Sequence, residues 1–85
     1  MSSPITQAGI EVRVGQVWRD LDRRARGRYC RVIAIDQIGP GGQFFAVMKR
    51  CLRHGAPSAA TTRSRVAVRR MHRHSTGWEL VSGPS

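Results

Sequence analysis

Two runs of β-forming residues, YCRVIAIDQI (29–38) and QFFAVMKRCL (43–52), stand on either side of the tetrapeptide GPGG (39–42). Val, Ile, Phe and Tyr suit a pleated, half-buried surface, and clustered Gly and Pro break it. A chain with this centre folds around an antiparallel hairpin. Val32, Ile33, Ala34 and Ile35 follow one another, so the first strand is expected to be partly buried on both faces. In the second, Phe44 and Phe45 are adjacent, and alternation sends one inward and the other outward.

The rest of the chain reads in the same idiom. Ile10, Val12 and Val14 alternate with Glu11 and Arg13, the period of a half-buried strand that bends at Gly15 and continues through Val17 and Trp18. RDLDRRARGR (19–28) fits one or two helical turns capped by Asp20 and ended by Gly27, or a charged loop. Residues 53–62 form a loop, 63–70 a further strand, MHRHSTG (71–77) a turn, and WELV (78–81) the closing strand. Short strands at near-regular spacing, with almost no amphipathic helix, predict an all-β fold: a small barrel of about five antiparallel strands. Residues 1–9 and 82–85 are expected to be flexible tails on a single domain spanning 10–81. Trp18 and Trp78, on the first and last strands, belong to its core.

Charge decides which partners to consider. Of the 85 residues 15 are Lys or Arg and only five are Asp or Glu, for a formal charge of +10. Lys49 is the one lysine. Such a chain repels itself and attracts polyanions, and arginine offers phosphate a planar two-pronged donor. No apolar stretch approaches the length of a membrane span, and MSSPITQAG (1–9) has no apolar signal segment. These features predict a cytoplasmic protein with reduced thiols. A Cys30–Cys51 disulfide would need an oxidising setting.

The succession VRVGQVW (12–18), GRYCRVIAID (27–36), FAVMKR (45–50), TRSRVAVRRM (62–71) and WELV (78–81) resembles SH3-like barrels, and more narrowly KOW-type modules. The opening V-x-V-G-Q-V-W, followed by D-x-D-x-R-x-x-G-R, is also similar to small proteins encoded by actinobacterial phages and their hosts. The first resemblance implies an SH3-like fold that binds RNA, DNA, peptide or protein. The second implies a phage or prophage accessory protein in a bacterial host's cytoplasm.

Two arginine clusters are the candidate nucleic-acid-binding residues. The first is Arg23, Arg24, Arg26 and Arg28, beside Arg19 in the charged loop. The second lies on and after the fourth strand. There alternation puts Arg63, Arg65, Ala67 and Arg69 on one face, and Ser64, Val66, Val68 and Arg70 on the other. Lys49, Arg50, Arg53 and Arg73 form a further group. Six such cations on duplex phosphates would give log K against log[salt] a slope of about −5. The alternative is a protein-interaction module that sets the same arginines against an acidic host protein or an assembly surface. Cys51, His54, His72 and His74 have the residue types of a zinc site but no standard spacing, so no metal is expected. No G-x-S-x-G, P-loop or H-E-x-x-H occurs, and the five acids are scattered. Neither enzyme chemistry nor a cofactor is expected.

Overall fold

The structure, a computed structural model, describes residues 4–38, 42–53, 55–59 and 62–83. Its strands are β1 (Val17–Asp20), β2 (Tyr29–Ile38), β3 (Gln43–Cys51), β4 (Arg63–Ala67) and β5 (Trp78–Ser82). They form one antiparallel sheet in the order β4-β3-β2-β1-β5. Thus β1 to β4 make a meander, and β5 returns to pair with β1. Among the described residues the only helical segments are two 3₁₀ turns, Arg23–Ala25 and Val68–Arg70. The fold is all-β and barrel-like, as expected. Among the described residues no helix is long and apolar enough to cross a membrane.

The hairpin centred on 39–42 forms. Residues 39–41 themselves lie outside the described residues, but Ile38 pairs with Gln43 and the ladder runs on to Tyr29 opposite Cys51. The register shifts between Val32 and Ala34, so Ile33 is a bulge. Alternation on either side of it places Cys30, Val32, Ala46 and Met48 in the core. Val12, Trp18, Val68, Met71 and Trp78 complete the core, with Ile10, Ile35, Phe44, Val66 and Leu80 packed against it. Phe44 is therefore the inward member of the Phe pair.

Residues 10–14 correct an expectation, because they are not a sheet strand. Val12 is buried and Ile10 half-buried, as period two requires, but Val14 is 53% exposed. The backbone here pairs with the N-terminal segment instead. Val12 N–H donates to Pro4 O at 2.8 Å, and Ile5 bridges Glu11. Gln16 then fastens the segment from inside. Its buried Oε1 accepts from Arg13 N–H at 2.9 Å and from the Trp18 indole at 3.1 Å, while its Nε2 donates to Glu11 O at 2.8 Å. Gly15, at φ 99°, lets the chain turn while donating to Val32 O. Within the expected tail, Pro4 and Thr6 are likewise buried. The Thr6 hydroxyl oxygen accepts from Ala8 and Ile10 N–H.

Two further expectations are corrected. The strand expected over 63–70 stops at Ala67, and Val68–Arg70 turns as a 3₁₀ helix. That turn carries Val68 and Met71 into the core, a burial that a straight strand along the sheet edge would not give both. The helical turn after β1 is capped by Asp22 rather than Asp20: Asp22 Oδ1 accepts from Arg24 N–H at 2.9 Å. Asp20 instead is 6% exposed and binds Arg28.

Candidate nucleic-acid interface

Every acid in the chain is paired. Glu11 meets Arg13 at 2.7 Å, Asp20 meets Arg28 at 2.8 Å, and Asp22 meets Arg24 at 2.9 Å; Asp36 meets Arg65 at 3.3 Å, and Glu79 meets Arg73 at 3.2 Å. Five of the fifteen cations are thereby engaged. The other ten make no ion pair among the described residues. Where these ten sit decides what the surplus charge can do.

Three of them form a row. On the outer face of the sheet Arg31 (β2) lies opposite Lys49 (β3), and Lys49 lies opposite Arg63 (β4). Neighbouring strands are about 4.8 Å apart, so the row spans about 10 Å. Like charges directly opposite each other are unfavourable in a sheet, and no carboxylate interrupts these positions. Arg65 adds a fourth cation beside the row, opposite Val47 and held toward Asp36. Of these four, the candidate residues had included Lys49, Arg63 and Arg65. Arg31 was missed. Alternation from Cys30 and Val32 signals its outward direction, but the bulge at Ile33 is what sets it beside Lys49.

The charged loop is less uniform than its composition. The hydrogen bonds from the Arg24 side chain, then from its backbone N–H, hold the Asp22 carboxyl at about 2. Arg24 is thus committed locally. Arg28 is tied to Asp20 and lies over the Trp78 ring, 5.8 Å from its centroid. Arg23 and Arg26 are exposed and make no ion pair among the described residues, Arg26 in a left-handed conformation at φ 53°.

Lys49 and Arg50, adjacent in sequence, part company. Lys49 joins the outer row, whereas Arg50 lies opposite Cys30 and leaves at the end of the sheet. There Arg26, Arg28, Arg50 and Arg53 line a concavity around Tyr29. Arg65, Arg69 and Arg70 line another with Phe45, the outward phenylalanine; Asp20 and Asp22 also border it. With the Gln43 amide turned so that its oxygen faces Arg69, Arg69 Nε donates to it at 2.8 Å. Arg73 stands apart, on Glu79.

Among the described residues the thiols and histidines do not converge. Cys30 faces the core, and Cys51, one residue past the Cys30 partner Arg50, points to the opposite face beneath the Pro57 bridge. Both are free and buried. Side chains on opposite faces of neighbouring strands cannot form a disulfide without backbone movement. Burial pushes both thiols up. Ellman's reagent should therefore label neither in the native protein and both in denaturant; rapid native labelling would contradict this burial. The His72 and His74 rings meet at a 46° tilt with their centroids 4.4 Å apart, and His54 lies outside the described residues. Among the described residues no three His, Cys, Asp or Glu side chains come together as a metal site.

No family model, curated protein or solved structure matches this chain.

Proposed function

We propose that the protein is a small SH3-like module that binds nucleic acid through the phosphate backbone, on the outer face of β2, β3 and β4. The observation that carries this reading is the row Arg31–Lys49–Arg63. Three aligned cations without an intervening acid are unfavourable alone and are relieved by a chain of negative charges. A four-strand meander closed by a return of β5 to β1 supports the SH3-like part of the reading.

Phosphate contacts fix position rather than sequence, so base preference should be weak. The outer face offers four contacts rather than the six first considered: Arg31, Lys49 and Arg63, which make no ion pair among the described residues, and Arg65, whose exposed 3.3 Å pair with Asp36 opens to reach phosphate. Fluorescence polarisation of labelled DNA and RNA over a range of salt concentrations tests this. Four contacts correspond to a slope of log K against log[salt] of about −2.8 on single strands and about −3.6 on a duplex. A flat salt dependence, or no binding at low salt, would overturn the reading. An acidic protein surface would then be the partner to seek, by pull-down after nuclease treatment.

A further inference from the structure

We infer that, on the nucleic-acid reading above, the preferred ligand is single-stranded and that Tyr29 is the platform on which one of its unpaired bases stacks. Tyr29 and Arg31 point to the same side of β2, two residues and therefore about 6.7 Å apart. The aromatic ring thus stands one step beyond the cation row. It is flanked by Arg19, its partner on β1, and by Cys51 on β3. Tyr29 is half-buried and lines a concavity with Arg26, Arg28, Arg50, Leu52 and Arg53. Among the described residues its hydroxyl makes no hydrogen bond and its ring no aromatic contact, so its fold neighbours leave it uncommitted.

The other aromatic side chains suit the role less well. Trp18 and Trp78 are buried, and Phe44 packs against the core. Phe45 lines a concavity of mixed charge, where Asp20 and Asp22 stand among Arg65, Arg69 and Arg70. No carboxylate lines the concavity around Tyr29. A duplex keeps its bases stacked within and can offer this surface only phosphates. A single strand offers phosphates to the row and a flat base to the ring. Base–aromatic stacking adds to a backbone-tracking basic groove without demanding sequence.

The test is a polarisation titration at fixed low salt with three probes: a labelled oligothymidine, the same strand with abasic sugars, and a duplex. Wild type should bind the oligothymidine more tightly than the abasic strand. Tyr29→Ala should weaken the oligothymidine roughly five- to 140-fold, and leave the abasic strand and the duplex unchanged. Tyr29→Phe should bind all three as wild type does. The comparison of probes on wild type stands even if Tyr29→Ala proves unstable. Equal wild-type affinity for the strands with and without bases would overturn the role of Tyr29 and leave the phosphate row intact. Failure of all three probes to bind wild type would overturn the nucleic-acid reading, and this inference with it.

Discussion

Arg31→Glu combined with Arg63→Glu should abolish most nucleic-acid binding while leaving the fold as stable as before, or more so. The two residues flank Lys49 on adjacent strands. Removing two phosphate contacts costs roughly 25-fold in affinity at about 0.1 M salt, taking 0.7 counterions per phosphate on a single strand. Two new negative charges add repulsion to that loss. Within the sheet the exchange has the opposite sign. A row of three like charges becomes Glu–Lys–Glu, and opposite charges across strands are mutually stabilising. Arg65 is the poorer target, because reversing it would set a carboxylate against Asp36. Polarisation titration and thermal melting of the same sample provide both readings. Undiminished binding by the folded double variant would remove the outer row from the interface.

Gly77→Ala should cause the largest loss of stability of any change considered. A Cβ at position 77 would lie 2.0 Å from the His72 carbonyl oxygen and 2.5 Å from His74 Cδ2. Neither neighbour can easily withdraw. The His72 oxygen accepts from Trp78 N–H at 2.9 Å, and Gly77 N–H donates to His74 O at 2.9 Å. Leu21 N–H donates to Gly77 O at 3.0 Å, tying this turn to the loop after β1. Trp78, the next residue, is in the core. Overpacking of this severity costs about 3 kcal/mol or more. In a domain of this size that corresponds to a fall in Tm of roughly 12–24 °C. Calorimetry measures it directly, and a fall below about 4 °C would show that the turn yields.

The elements that the sequence made legible were those with a strong local signal. Residues 29–38 and 43–51 form the expected hairpin strands, because two long β-forming runs joined by a compact break have few alternatives. Trp18 and Trp78 are core residues, as expected of large apolar side chains on the end strands. Period two correctly marked Val12 as buried, but it could not say where the backbone would find its partners. Those partners came from Pro4, Ile5 and the Gln16 side chain.

The candidate site was half legible. Alternation put Arg63 and Arg65 on the outer face, where they are. It could not reveal Arg31 beside Lys49. Extending the register that pairs Ile38 with Gln43 without interruption would place Lys49 opposite Val32, a core residue. The bulge at Ile33 moves it by one, to Arg31. Nor could counting arginines tell which were already spent. Arg24 and Arg28 resemble their neighbours in the sequence, yet Asp22 and Asp20 hold them.

β4 ends the sheet and carries Arg63 and Arg65. An end strand exposes backbone donors and acceptors to any other chain that can align with them. Two copies approaching along β4 would have to bring these arginines together, with Lys49 close behind in each. The charge therefore also acts as a guard against fibre-like stacking of the protein on itself.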